Sequence, residues 1–351
     1  MKGVNKVTSR ESLRVGIVGC GEIASLHLSS ISKIPDAKLT AVCDKNEALA
    51  RRMSGRAKIN RYYTDISKML EEERLDVIHI TTPPQTHFAL TAQAIEAGCH
   101  VLVEKPIALN LDETDKLIEL ARKSGVKLSV VHNVLFRPVI VRAKSLVDKG
   151  LIGDVIGMSI TQCVSRYGDL VPNKDHWCHK LPGGIFGEML PHSIYLATAF
   201  MKGLDVTAVH KQKLSSHSWM AADELRVILK ADTGVATITN SANGLARFMA
   251  LELMGTRASM HVNISSGVLV RHIPVQSGRL LWGIDNIWSA FQYLTSTSSG
   301  MLRFIFRLHH NEHHNLIKEF IESIHSNTEP PVTIEEARDV IRIYQEITSQ
   351  L

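Results

Sequence analysis

The sequence lacks any apolar run long enough to span a bilayer, and its first residues, MKGVNKVTSRESLR, hold no apolar signal core. Neither a membrane partner nor a secretory route is expected. Cysteine is sparse, and Cys20, Cys43, Cys99, Cys163 and Cys178 form no pairing framework. Free thiols of this kind imply a reducing, cytoplasmic setting. Charge of one sign is lacking too. A formal +5 over 351 residues suits an anionic small molecule, but it is too weak and dispersed for a nucleic-acid partner. Internal repeats, low-complexity tracts and disordered linkers are absent. What remains, with 44% hydrophobic and 21% charged residues, is a globular chain long enough for two domains.

The first half alternates strands and helices. Residues 14–18 read as a buried strand that runs into Gly19-Cys20-Gly21-Glu22-Ile23-Ala24, a G-x-G-x-x-A loop opening a helix. Gly19 permits the tight turn, Gly21 lets a pyrophosphate reach the backbone, and Ala24 keeps the helix close to the sheet. A second strand, 38–43, ends at Asp44, where a carboxylate binds adenosine-ribose hydroxyls and repels a 2′-phosphate. NAD is therefore expected over NADP, with neighbouring Lys45 leaving NADP open. Asp44 is equally suited to cap the helix expected over 46–56. Further strands follow at 76–80, 100–104 and 127–131, each with a helix after it. Such alternation predicts a doubly wound parallel sheet, a Rossmann domain over residues 1–132.

The strand at 100–104 ends abruptly in Glu104-Lys105-Pro106. Pro106 lacks an N–H and biases Lys105 toward an extended backbone, so pairing stops there. Ligands of open α/β sheets bind beyond the carboxyl ends of strands, which gives Lys105 a crevice to reach into.

After Pro138 the pattern changes. Strand-like stretches at 155–164, 205–211, 223–231, 234–241, 248–254, 258–263 and 267–273 predict a mostly antiparallel sheet with one open face, in an α+β domain over 133–351. An exposed sheet face of this kind suggests a homodimer or homotetramer. A helix opens at Gly183-Gly184 and carries Glu188, His192 and Tyr195. The segment 284–310 is partly helical and rich in Trp, Phe and Ser, as a lid or subunit contact would be. A last helix over 333–350 starts with a capping box, Thr333 and Glu336.

Taken together, these residues resemble the Gfo/Idh/MocA oxidoreductase family over nearly the whole chain, from Leu13 to about Ile347. The most specific marker is Glu104-Lys105-Pro106, which matches the family's E-K-P signature. The glycine loop, Asp44, Thr82-Pro83 with His87, and Asn133 with Phe136 and Pro138 follow in the family's order. The resemblance implies a nicotinamide cofactor and a sugar, cyclitol or nucleotide-sugar substrate. It implies that Thr82, Pro83 and His87 line the cofactor path, with Asn133 beyond them, and that the C-terminal helix returns to the first domain. The chain departs from the family's second-domain motif at three positions. Glu188 stands for an Asp, Leu190 for a Gly, and Tyr195 for an Asp, so the substrate or the support of His192 differs.

Removing hydride from a secondary alcohol requires a proton acceptor and a group to stabilise the developing alkoxide. Lys105 suits the second task and His192 the first. Glu188 orients the substrate or the imidazole, and Glu104 fixes the nicotinamide ribose or Lys105. Trp177 is placed to stack on a sugar face, and Tyr195 stands among the substrate residues. A lone His at a helix start is more often a cap or a core residue; the motif around His192 favours catalysis. His309, His310, His313 and His314 have i, i+4 spacing, but no third ligand is identifiable and no metal is expected. His176 and His179 lie too close in sequence for a tetrahedral site. Arg166, Arg303 and Arg307 suit a diphosphate or plain solvent. Two other functions fit the same fold: a glycoside hydrolase that recycles bound NAD, and a non-catalytic dinucleotide sensor or co-repressor.

Overall fold

The computed structural model describes residues 11–272, 279–305 and 312–351. Within these the chain forms two compact units, and each crosses the expected boundary.

The first unit holds the chain through Glu104 together with Lys116–Val131 and His313–Thr333. Its elements begin with β1 (Leu13–Val18), α1 (Ala24–Ile31), β2 (Ala37–Cys43), α2 (Glu47–Ala57), β3 (Tyr62–Tyr63) and α3 (Ile66–Glu72). They continue with β4 (Val77–Ile80), α4 (His87–Glu96), β5 (His100–Glu104), α5 (Leu111–Ser124) and β6 (Leu128–Val131). The strands form one six-stranded parallel sheet in the order β3-β2-β1-β4-β5-β6. Strand order reverses between β1 and β4, the switch point at which such sheets bind ligands. Val15, Ile17, Ile78, Ile80, Val101 and Val103 have no exposed surface, as strands covered on both faces require. β3 and α3 carried no sequence signal; two residues of strand are too short to show periodicity.

The second unit holds Lys105–Asp115, His132–Glu312 and Ile334–Leu351. Here α6 (Pro138–Asp148) leads to β7 (Val155–Ser165) and α7 (Ile185–Phe200). Strands β8 (Asp205–Gln212), β9 (Glu224–Lys230), β10 (Val235–Gly244), β11 (Phe248–Gly255), β12 (Ser259–Asn263) and β13 (Val268–His272) follow, then α8 (Arg279–Ile305). The seven-stranded sheet has the order β13-β12-β11-β7-β10-β9-β8, antiparallel except for the β7–β10 pair. Its alternation is clear in β9, where Leu225, Val227 and Leu229 are buried between exposed residues. α7 covers the buried face.

The last two helices are α9 (Glu312–Ser326) and α10 (Ile334–Thr348). α10, the C-terminal helix expected to return to the first domain, is grouped with the second unit, where it packs along α7. The apolar stripe Val340, Ile343, Tyr344 and Ile347 joins that unit's core, and Tyr344 Oη donates to Pro182 O at 3.1 Å. The first turn of α5 belongs there as well: Arg338 pairs with Asp115 at 2.5 Å, and Leu111 N donates to Gln345 Oε1. The segment that joins the Rossmann unit is α9 with the loop leading out of it. Ser129 Oγ donates to Val332 O there, and Lys127 Nζ to Thr328 O.

Candidate active site

At the end of β1, Gly19 has φ +95, and a Cβ on it would lie 2.8 Å from Thr81 C and Thr82 N. Only glycine fits that turn without moving backbone. A Cβ on Gly21 would meet nothing within 4 Å. The space above it is open to a phosphate, and α1 begins with no side-chain cap and no acid in its first turn. Ser25 N and Leu26 N donate to Glu22 O and Ile23 O, so the N–H groups offered to an anion are those just ahead of them, up to Ala24. Glu22 is exposed, and Ile23 is the residue before the helix. These features fit a dinucleotide.

Asp44 ends β2 with both carboxylate oxygens in use. Oδ2 accepts from Cys20 N at 2.7 Å and Oδ1 from Asn46 N at 2.8 Å. Each oxygen retains a lone pair for a ribose hydroxyl. The cap of α2 is Asn46, whose side chain accepts from Ala48 N, rather than Asp44. Lys45 is exposed. Thr82 is partly accessible and Pro83 exposed. His87 is fully buried, with Nε2 2.8 Å from Thr82 O, so it braces that loop from beneath instead of lining its surface. The free thiols are mostly buried, and loss of hydration pushes Cys20, Cys43 and Cys178 up to about 12.

Glu104, at the end of β5, is 8% exposed and sits in a histidine network the sequence did not reveal. His27 Nε2 lies 3.0 Å from Glu104 Oε1, and His27 Nδ1 lies 2.9 Å from His79 Nδ1. His313 Nε2 is 3.7 Å from the same carboxylate oxygen. His79 Nε2 is buried without a partner, which a lone-pair nitrogen tolerates better than an N–H. His79 therefore donates from Nδ1 to His27, and His27 donates from Nε2 to Glu104. The ligand atoms of His27, Glu104 and His313 lie within 4.8 Å of one another. A cation could enter only by displacing the His27 proton, so the hydrogen-bonded arrangement accounts for the group as it stands. The one available signal was a His in the apolar strand V-I-H-I. His309 and His310 lie outside the described residues, as do Arg307 and the side chain of Arg303.

In the second unit, Lys105 Nζ lies 2.5 Å from Glu188 Oε1 and donates to Glu188 O at 3.2 Å. The Lys105 side chain is 9% exposed. α7 presents Glu188 from its first turn, after Gly183 and Gly184 reverse the chain with positive φ. Gly187 packs so tightly that a Cβ would lie 2.5 Å from Pro182 O. Pro191 interrupts the helix ladder, and His192 follows it.

His192 Nδ1 lies 2.7 Å from Tyr195 Oη. That phenol oxygen also accepts from Val134 N at 3.2 Å and donates to Asn133 Oδ1 at 3.3 Å. With the phenol hydrogen on Asn133, its oxygen accepts from Val134 and from His192 Nδ1–H, and every group is satisfied. This leaves His192 Nε2 as a lone pair. His132 stacks on the Tyr195 ring at 4.3 Å. Burial, then the positive charge of Lys105, and then His132, Arg247 and Arg137, hold the imidazole well below its ordinary range. These hold it in the uncharged form, in which Nε2 can accept a hydrogen bond. Asn133, expected at the cofactor, thus also anchors Tyr195. Trp177 packs partly against the core and tilts against His176 at 5.1 Å. Arg166 lies over the Tyr167 ring.

Residues 13–132 match a family model described as an oxidoreductase family with an NAD-binding Rossmann fold, and residues 140–261 match the GFO/IDH/MocA C-terminal domain. An uncharacterized oxidoreductase, YrbE, of Bacillus subtilis is 31% identical over 70% of this chain and 72% of its own. Myo-inositol 2-dehydrogenase of Thermotoga maritima is 29% identical over 66% of each chain. Among solved structures, the WlbA dehydrogenase from Bordetella pertussis, in complex with NADH and UDP-GlcNAcA, superposes with a TM-score of 0.81. It is 17% identical over 98% of this chain and 96% of its own, which is likeness of fold.

Proposed function

The chain belongs to the Gfo/Idh/MocA oxidoreductase family, and from that premise we propose an NAD-dependent dehydrogenase for a secondary hydroxyl of a sugar, cyclitol or nucleotide-linked sugar, or for the matching ketone in reverse. The observation that carries this reading is the Lys105 ammonium paired with Glu188 in the unit where Tyr195 Oη lies 2.7 Å from His192 Nδ1. NAD supplies the hydride acceptor. The open backbone at Gly21 and the N–H groups up to Ala24 at the start of α1 hold its pyrophosphate, and Asp44 takes ribose hydroxyls.

Glu188 engages two of the three N–H groups of Lys105. The third is left for the reacting oxygen, where it stabilises alkoxide character. As the C–H electron pair departs as hydride, the hydroxyl proton passes to His192 Nε2, and the O–H bonding pair becomes the second bond of the carbonyl. Trp177 offers an aromatic wall for the sugar ring. A relative named for myo-inositol supports a polyol-class substrate.

The test is fluorescence titration with NADH and NADPH, followed by a sugar and nucleotide-sugar screen at 340 nm. Tight NADH binding with turnover of one substrate is expected. Binding without net turnover would shift the reading to a hydrolase that recycles its NAD, or to a sensor. No dinucleotide binding would end it.

A further inference from the structure

A cavity of about 210 Å³ lies at the start of α7, in the second unit, and takes no part in the proposed hydride transfer. A Cβ on Gly184 in its wall would meet nothing within 4 Å, so the space over that residue is open. Ile185 and Phe186 stand beside it, and the loop between β8 and β9 adds Trp219 and Met220. Trp219 is 38% exposed and tilts against His217 at 4.5 Å. Two polar groups of this wall have no partner among the described residues. The N–H groups of Gly184, Phe186 and Gly187 are engaged by Leu181 O, Gly183 O and Gly184 O, and no side chain caps the helix. That leaves the N–H of Ile185. The other group is His179 Nε2, which is buried without a partner. Burial, and then the charge of His176, hold that imidazole below its ordinary range. It is therefore uncharged, and its unpartnered nitrogen is the lone pair, since a buried N–H left alone costs more.

We propose, resting on the dehydrogenase reading, that this cavity seats a second sugar ring joined to the ring that is oxidised, so that the substrate is a disaccharide and not a free monosaccharide or cyclitol. Ring hydroxyls both accept and donate, so one ring can take the Ile185 N–H and give a hydrogen to His179 Nε2. Trp219 and Phe186 supply apolar surface for the C–H faces of the ring. An anion fits worse. It would accept at Ile185 but meet the lone pair of His179 and the carboxylate of Glu188 in the first turn of α7. Size is a second argument. Pockets that bury a whole drug-sized ligand run to about 300–1,000 Å³, so this one takes a single ring and no nucleotide. The link to the reacting ring comes from the helix. Ile185 and Glu188 are i, i+3 on α7, about 4.5 Å apart along its axis, and Glu188 pairs with Lys105. Two joined rings can therefore reach the cavity and the lysine at once.

The test measures NADH formation by the full chain with glucose and galactose, set against cellobiose, maltose, lactose and trehalose. Calorimetric titration with the same sugars runs beside it. One disaccharide should show a kcat/KM at least tenfold above that of its component monosaccharide. Trp219→Ala, and Ala221→Phe to fill the cavity, both fall on exposed loop positions. Each should lower the disaccharide's kcat/KM at least tenfold through KM, with the monosaccharide's rate and the melting temperature unchanged. Variants that slow both kinds of sugar alike, or neither, overturn the subsite and leave the dehydrogenase standing. Disaccharide binding that Trp219→Ala abolishes, without turnover of any sugar, upholds the subsite and counts against the dehydrogenase reading alone. Calorimetry that finds no disaccharide bound overturns the subsite in either case.

Discussion

His192 Nδ1 and Tyr195 Oη lie 2.7 Å apart, one helical turn from each other on α7. The family resemblance leads one to expect a carboxylate here, and the phenol meets the imidazole at Nδ1 without charge. In the proposed reaction that leaves Nε2 for the substrate. A neutral partner does not raise the imidazole's proton affinity as an anion would, which agrees with the depressed pKa of His192.

Tyr195→Phe removes that oxygen and strands Val134 N–H, Asn133 Oδ1 and His192 Nδ1. Buried groups left this way cost about 1–3 kcal/mol. A fall of roughly ten- to a hundredfold in kcat is expected, consistent with weakened general-base action, while KM changes little. Steady-state kinetics beside a thermal melt separate the two effects, and a rise in KM alone would refute the tautomer role.

Lys105→Met should lower turnover by about 10²–10³-fold, the usual result of losing one donor to a developing oxyanion, with NADH affinity retained. It also leaves Glu188 without its cation in a site where the lysine is nearly buried, so stability falls too. Adding Glu188→Gln should recover the melting temperature but not the turnover. Near-normal turnover in either variant would remove Lys105 from the chemistry.

The two loop glycines answer to different constraints. Gly19→Ala places a Cβ 2.8 Å from backbone in a left-handed conformation, and the melting temperature should drop by several degrees. Gly21→Ala meets no protein atom. Its melting temperature should match the parent, while NADH affinity falls at least tenfold because the methyl occupies the space of the pyrophosphate. Equal affinities for parent and Gly21→Ala would show that the dinucleotide lies elsewhere.

Local features were readable in advance. The glycine loop, Asp44 and Glu104-Lys105-Pro106 each lie within a few residues of a strand end, so spacing alone places them at the sheet's ligand-binding edge. The network around Glu104 was not readable, because His27, His79 and His313 meet only after three separate segments fold together. Tyr195 looked like the loss of a carboxylate; its i, i+3 relation to His192 was in the sequence, but its contact with Asn133 was not. The grouping of α10 with the second unit has the same origin. The helix is amphipathic, and periodicity tells which face is buried but not against what. α8 was ambiguous because the usual rule, apolar side inward, is reversed in it: Gln292 and Ser296 meet β13, while Ile287 and Phe291 are exposed.

Two imidazoles make stability depend on pH. His79 is buried among apolar strand residues next to His27, and His192 faces Lys105; both are held well below the ordinary histidine range. In the unfolded chain each titrates near about 6.5. Above that value both states are neutral at these positions and no pH effect arises. Below it the unfolded chain takes up protons that the folded chain refuses, so stability falls as pH drops, by up to about 1.4 kcal/mol per pH unit for each group. The melting temperature should thus be level from pH 8 to 7 and decline between pH 6.5 and 5. His79→Asn removes one of the two groups and should reduce that slope, whatever it does to the melting temperature at pH 8. By the same logic, His192 is held unprotonated where an ordinary histidine begins to titrate, and kcat in the oxidative direction should show no acid limb near about 6.5. An acid limb at that pH, lost in His192→Asn, would mean that the imidazole titrates normally and that its burial and cationic neighbours do not govern it.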